Sequence, residues 1–255
     1  MNLSAIPRDL LLVSALLILV PLIVPDWVLF IMTKSLFMFI CVSGVAFMLR
    51  GGLLTFGHAL FYATGAYTVG FMVKYFGVQE LLIVLPLGAL TGFIMAALVG
   101  LIMARYREVF FAMLNLAFSM MLFGALLKFY RVTNGTDGLP IGTPTLLGFE
   151  IDSDSLSFYY FSLFIVAIVA YVIHRFMASP NGFYLRALHD NEIRIEYSGV
   201  SVRQVVYRTY ILAGTLGGVS GVLAAFTIGH IVPEDAFSIQ SAQIVFVSLL
   251  GGFGG

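Results

Sequence analysis

Apolar runs close to the thickness of a bilayer recur from one end of the chain to the other, over residues 10–24, 28–49, 53–76, 81–104, 109–127, 158–173, 209–231 and 244–250. A helix needs about 20 apolar residues to cross the hydrocarbon core, and only helices and closed barrels satisfy their backbone polar groups there. The runs predict an all-α fold, a polytopic transmembrane helical bundle of about eight membrane segments, read as a single domain over residues 1–255. Charged residues make up 10% of the chain, against about 25% in an ordinary soluble domain, which excludes a soluble globule.

The first run follows Arg8 and superficially fits a signal peptide, but it ends Val24-Pro25-Asp26-Trp27 with no small-x-small cleavage site. It reads as an uncleaved first helix, kinked or tilted at Pro21. Net charge is zero and basic residues are scattered, so nucleic acid is not an expected partner. The one cysteine, Cys41, lies in an apolar run and offers no disulfide framework.

Charge placement orients the bundle. With a cytoplasmic N-terminus, nine of the thirteen basic residues (Arg8, Arg50, Arg105, Arg107, Arg175, Arg186, Arg194, Arg203 and Arg208) fall on the inner side, while Asp26, Glu80, Asp137, Glu150, Asp152, Asp154, Glu234 and Asp235 fall outside. The opposite orientation violates the positive-inside bias. Two connections are long: an outer loop over 131–157, rich in Gly, Thr, Pro and Asp, and a charged inner segment over 178–207. No internal repeat is apparent.

Within the runs, Ala59, Ala63, Ala66 and Gly70 share a helical face, and Gly214/Gly218 and Gly217/Gly221 are overlapping G-x-x-x-G pairs. Small residues at these spacings let helix backbones approach. In the inner segment, Ser179 and Pro180 open a helix to Tyr197, Gly199 ends it, and Ser201 with Gln204 forms a capping box for the next helix. Arg186, Asp190 and Arg194 are four apart, as are Glu192 and Glu196, opposite an apolar side of Tyr184, Leu188 and Ile195. A helix with both surfaces can dock on a partner.

Chemistry is sparse. No G-x-x-x-x-G-K-[ST] occurs, so the chain has no phosphate-binding loop of its own. The histidines His58, His174, His189 and His230 lack metal-ligand spacing. Gly218-Val219-Ser220-Gly221 matches the G-x-S-G of intramembrane serine proteases. His230, however, lies ten residues away on the same predicted helix, roughly 15 Å along its axis, too far to act as base. A secondary carrier usually holds an ionisable group deep in a span, and no carboxylate lies mid-helix here. A stand-alone channel or carrier for a small neutral solute remains the alternative, with a protease using Ser220 more remote. His58, and Asn115 with Ser119 on one face of the fifth helix, either bond across helices or line a solute path.

The stretch from Gly51-Gly52-Leu53-Leu54-Thr55-Phe56-Gly57-His58 to Tyr67 resembles a signature of the LivM-like branched-chain amino-acid permeases. So do Phe111–Phe118, the outer Asn134-Gly135-Thr136-Asp137-Gly138-Leu139, and the block Ser179–Glu192 continued by Glu196-Tyr197-Ser198-Gly199-Val200. The resemblance runs from about Val42 to Gly255. It implies the membrane-spanning permease subunit of an ATP-binding-cassette importer, multi-pass in a bacterial or archaeal inner or plasma membrane. The implied subunit would move branched-chain amino acids or related small solutes such as amides, urea or aromatic acids by alternating access. Implied partners are two ATP-binding subunits, a LivH-like companion permease, a periplasmic or extracellular solute-binding protein and membrane lipid. ATP and Mg would sit on the partners, with no cofactor or catalytic residue in this chain.

The same resemblance implies an ATPase-coupling role for Arg186, Asp190, Asn191, Glu192, Glu196 and Gly199. It places Gly57, His58, Asn115 and Ser119 on a translocation path, and Asn134, Gly135, Asp137 and Gly138 against the binding protein. Two departures stand out: the chain stops at Gly251-Gly252-Phe253-Gly254-Gly255 where such permeases continue, giving an expectation of C-terminal truncation, and His58 stands where many relatives carry Gln.

Overall fold

The computed structural model describes residues 8–152, 155–190 and 192–251. Its helices are α1 (Arg8–Leu19), α2 (Asp26–Leu49), α3 (Ala59–Phe71), α4 (Leu81–Met103), α5 (Glu108–Lys128), α6 (Tyr130–Thr133), α7 (Leu156–Met177), α8 (Pro180–Asp190), α9 (Glu192–Tyr197), α10 (Val202–Ile228) and α11 (Ser238–Leu250). Short strands β1 (Leu139–Pro140), β2 (Thr145–Leu146), β3 (Phe149–Glu150) and β4 (His230–Ile231) lie in the loops. Five helices, α2, α4, α5, α7 and α10, are long and apolar enough to cross a membrane. The other apolar helices, α1, α3 and α11, have 12, 13 and 13 residues.

The centre of the bundle is α10, wrapped by α2, α3 and α4. Its G-x-x-x-G pairs are the contact surfaces. A Cβ on Gly218 would lie 2.5 Å from the Gly88 carbonyl oxygen of α4, one on Gly65 of α3 would lie 2.0 Å from the Gly218 oxygen, and one on Gly221 would lie 2.0 Å from the Tyr62 oxygen. Helix backbones therefore touch α10 on two sides, which explains why its stretch from Leu216 to Thr227 is buried throughout. Ser220 belongs to this packing, its hydroxyl donating to the Phe37 carbonyl of α2 at 2.6 Å. Cys41 is a buried free thiol.

Pro21 leaves the Leu17 carbonyl without the N–H that would bond it in a continuing helix. The Tyr159 hydroxyl of α7 donates to that oxygen at 3.0 Å, and the Tyr160 hydroxyl to the Ile18 oxygen at 2.9 Å. The break after α1 is thus closed by side chains from another helix, as a helix end away from water requires.

The expected third span over 53–76 is not one helix. After α2 the chain turns at Gly51 and Gly52 (φ 73°) and stays non-helical until α3 begins at Ala59. The cause is packing: a Cβ on Gly57 would lie 2.1 Å from the Asn115 oxygen, so the segment is pressed against α5 where a regular helix would not fit. The expected span to Ile231 ends at Ile228, capped by Gly229 (φ 72°), and the chain returns through β4 and a 3₁₀ turn (Pro233–Ala236) before α11, which contains the separate last segment expected over 244–250.

Phe37 faces Ser220 and Gly44 faces Ala213, so α2 and α10 are antiparallel. Each is followed by a non-helical return and a further helix, α3, which continues as a π-helix over Met72–Phe76, and α11.

The charged inner segment is helical over Pro180–Asp190 (α8) and Glu192–Tyr197 (α9), as expected, with Asn191 outside the described residues. Gly199 ends α9 at φ 81°. Ser201 occupies the N-cap position of α10 but makes no side-chain capping bond, so the S-x-x-Q box does not form. The Ser179 hydroxyl turns back to the Phe176 carbonyl, at 2.6 Å, and does not cap α8.

Candidate functional site

The N-termini of the two half-length helices meet. The Ala59 N–H, first in α3, donates to the Ser241 hydroxyl in the first turn of α11 at 3.0 Å. Gly57 abuts Asn115, and the Ser119 hydroxyl donates to the Ala236 carbonyl just before α11 at 2.7 Å. Asn115 and Ser119 stand near the middle of the 21-residue α5. The junction is therefore about halfway along the bundle, with the positive ends of two helix dipoles directed into it.

Asn115 and Ser119 share one face as their spacing predicts, and both are fully buried. Asn115 is held by two bonds: its amide donates to the Phe111 carbonyl at 2.8 Å, and its oxygen accepts the Tyr210 hydroxyl of α10. Tyr210 in turn stacks edge-on against Phe61 and Phe111. His58 is fully buried beside these groups, against Phe61, and neither ring nitrogen has a hydrogen-bond partner. Its Nε2 would lie 3.1 Å from a Cβ on Gly44 and 3.4 Å from one on Gly217. Small residues on α2 and α10 thus make its space. His58 makes no bond to Ser220, so the base a serine nucleophile needs is not in place.

The four path candidates Gly57, His58, Asn115 and Ser119 are therefore brought to one junction, closed in this conformation. Below it, toward the arginine-rich end, a cavity of about 530 Å³ opens between the extended segment (Gly52, Leu54, Phe56) and α5 (Val109, Ala112, Met113). Sequence reasoning missed Ser241, Tyr210 and Ala236.

At the arginine-rich end, Leu185, Leu188 and Ile195 bury one side of the α8–α9 hairpin in the core. The candidate coupling residues divide. Arg186 folds back to cap α7, donating to the Met177 carbonyl at 2.8 Å. Glu192 is bound to Arg107 at 2.6 Å, while Glu196 and Gly199 are exposed. The outward surface also carries Phe183, Ile193 and Tyr197, 67, 63 and 88% exposed.

At the other end, the candidate loop residues are largely internal. Asn134 accepts from Lys74 Nζ at 2.8 Å, Asp137 accepts from the Tyr130 hydroxyl at 2.7 Å, and Gly135 is buried. Gly138 is crowded against Ile231 and His230, next to the β1–β4 pairing that staples the loop to the end of α10. What projects is the β2–β3 hairpin, with Leu147 and Phe149 three-quarters exposed.

Glu80 holds that hairpin, accepting from the Leu147 N–H at 2.7 Å, the Gly148 N–H at 3.3 Å and the Thr145 hydroxyl at 3.0 Å. The Leu147 N–H draws its carboxyl below the ordinary value of 4.5; slight desolvation opposes this, and Gly148 and Thr145 reinforce it. A depressed folded pKa means that the stabilisation is complete above the unfolded value and is lost as pH falls through the folded one. Protection of the Leu147 and Gly148 amides, corrected for intrinsic exchange, is expected to hold at neutral pH and collapse in acid. Glu80→Gln should remove that acid step; a step that persisted in the variant would assign it to another group.

An all-helical bundle, with five helices able to span a bilayer and two shorter ones meeting inside it, defines a polytopic membrane protein. Residues 27–255 match the family model for the branched-chain amino acid transport system permease component, and the chain belongs to that family. It is 29% identical over 226 residues, 80% of its length and 53% of the relative's, to the high-affinity branched-chain amino acid transport system permease protein LivM of Escherichia coli. It is 25% identical over 180 residues, 70% of the chain and 52% of the relative, to the probable branched-chain amino acid transport permease protein LivM of Methanocaldococcus jannaschii. A 91-residue stretch, 34% of the chain and 26% of the relative, is 33% identical to the guanosine ABC transporter permease protein NupP of Bacillus subtilis. The chain spans about half the length of the LivM relatives it matches. No solved structure gives a significant match.

Proposed function

We propose that this chain is the membrane-spanning permease subunit of an ATP-driven importer for branched-chain amino acids or related small solutes. The observation that carries the reading is the meeting of two half-helix N-termini inside a chain of this family. In inverted-repeat transporters such ends face the anionic group of the substrate. A solute carboxylate would pass the junction of α3, α11 and α5, with Gly57, His58, Asn115 and Ser119 beside it. The conformation described here is the closed one.

The chain sits in the inner or plasma membrane with its N-terminus and arginine-rich end in the cytoplasm. There the α8–α9 hairpin docks on an ATP-binding subunit through Phe183, Ile193, Tyr197 and Glu196, and ATP with Mg stays on that partner. A companion permease completes the path, and an external binding protein delivers solute to the β2–β3 hairpin. The absence of a phosphate-binding loop from the sequence supports a borrowed energy source.

Two measurements test the reading. A cysteine placed at Ser198 is expected to react with a membrane-impermeant thiol reagent only from the cytoplasmic side. The chain is also expected to co-purify with an ATPase and give ATP-dependent uptake in proteoliposomes. Labelling from outside, or solute flux by this chain alone without ATP, would overturn it, the second result in favour of a stand-alone channel or carrier.

A further inference from the structure

Two segments that are remote in sequence, the α4–α5 turn and the start of α9, meet on one guanidinium. Arg107, the N-cap of α5, donates through Nη1 to the Ala104 and Tyr106 carbonyls at the end of α4, at 3.0 and 2.8 Å. Through Nε it donates to Glu192, the first residue of α9, at 2.6 Å. The planar fork of arginine serves several acceptors at once, which a lysine ammonium on a flexible stem does poorly. The next residue, Glu108, adopts φ 50°, a left-handed conformation that side chains other than glycine rarely take. The backbone entering α5 is thus held in an unfavourable shape where Arg107 is tied down.

Around this tether the packing is loose. A cavity of about 410 Å³ lies between Gly51, Gly52 and Leu53 on one side and Arg107, Glu108, Leu188 and Glu192 on the other. The larger apolar cavity leaves the first two turns of α5 apart from the extended segment. Firm contact returns at Gly57 and Asn115, two turns higher. The lower half of α5 runs from Arg107, tied to Glu192, past Phe111, buried against Tyr210, to Asn115 and Ser119.

We propose that the Arg107–Glu192 ion pair is the positioning link through which displacement of the α8–α9 hairpin moves α5 and opens the junction of the half-length helices. The pair rests on the importer reading above, since the displacement is delivered by the ATPase. Helix α8 supplies a parallel contact, Leu185 and His189 lying against Gly51 and Gly52. That contact joins α8 to the turn after α2, whereas the ion pair joins the segment directly to the start of α5.

The test uses the assembled complex in proteoliposomes, with ATP hydrolysis and uptake measured together. Arg107→Glu and Glu192→Arg are each expected to lower solute taken up per ATP hydrolysed by about tenfold, within the range usual for coupling between sites. Both side chains are partly exposed, 24 and 41%, so assembly and melting temperature should hardly move, because such pairs add little stability. The double reversal is expected to recover the ratio by about threefold or more, the signature of a pairwise interaction. If Arg107→Glu does not assemble, Glu192→Gln reads the same ratio without reversing a charge. An unchanged ratio in the single variants, or no recovery in the double, overturns the link while leaving the importer reading intact. If the wild-type complex shows no ATP-dependent uptake, the importer reading itself fails, and that arm is read independently of every variant.

Discussion

Gly218→Leu is expected to abolish the folded bundle. The new Cβ would lie 2.5 Å from the Gly88 oxygen and 3.1 Å from the Gly92 Cα, both backbone atoms of α4. On the neighbouring side, the Gly218 backbone itself lies where a Cβ on Gly65 of α3 would go. No rotamer relieves a clash at Cβ, so α10 must move away from α4 and takes the central packing with it. Overpacking a core typically costs about 1–3 kcal/mol even when side chains can yield. Here the neighbours are backbone, and the cost should exceed roughly 3 kcal/mol, enough to consume much of a marginal stability. Detergent-solubilised protein should elute as aggregate and lose its cooperative melting transition. Gly124→Ala is the control, since nothing lies within 4 Å of its Cβ position, and it should behave as wild type. A Gly218→Leu protein that melted normally would refute the close approach of α10 to α4.

Asn115→Leu carries the second large effect. It removes the acceptor of the buried Tyr210 hydroxyl and the amide bonded to the Phe111 carbonyl, leaving a hydroxyl stranded among Phe61 and Phe111. An unsatisfied buried polar group costs about 1–3 kcal/mol, whereas removing both partners together can be nearly neutral. Asn115→Leu should therefore destabilise more than Tyr210→Phe, and the double variant should be more stable than Asn115→Leu alone. A double-mutant cycle on melting temperature reads this directly. Strict additivity of the two changes would show that the hydroxyl and the amide do not meet. Gly57 rests on the Asn115 backbone and Cβ, which leucine keeps, so uptake should fall with stability in the single variant and recover with it in the double.

Much of the site was legible, though not its architecture. The G-x-x-x-G pairs of α10 announce close packing because only glycine permits backbone contact, and the structure uses Gly214, Gly217, Gly218 and Gly221 in that way. The spacing of Asn115 and Ser119 placed them on one face. Their partners were hidden: Tyr210 is 95 residues from Asn115, and Ala236 is 117 residues from Ser119. Glu192 looked like a surface charge on an amphipathic helix because its partner Arg107 lies 85 residues away. Asn134 and Asp137 read as parts of an outer loop, and the structure adds that they fasten it through surface bonds to Lys74 and Tyr130.

Composition and run length alone determined that this protein is a membrane-embedded helical bundle, because the cost of burying an unpaired backbone group in lipid leaves no other solution for so many apolar runs. They could not reveal that the run over 53–76 opens with a non-helical stretch before α3. A broken helix and a continuous one are equally apolar, and the choice between them falls to contacts such as Gly57 on Asn115 and Ser241 on Ala59, which join residues far apart in the chain. The junction where we place the solute therefore exists only in the tertiary structure.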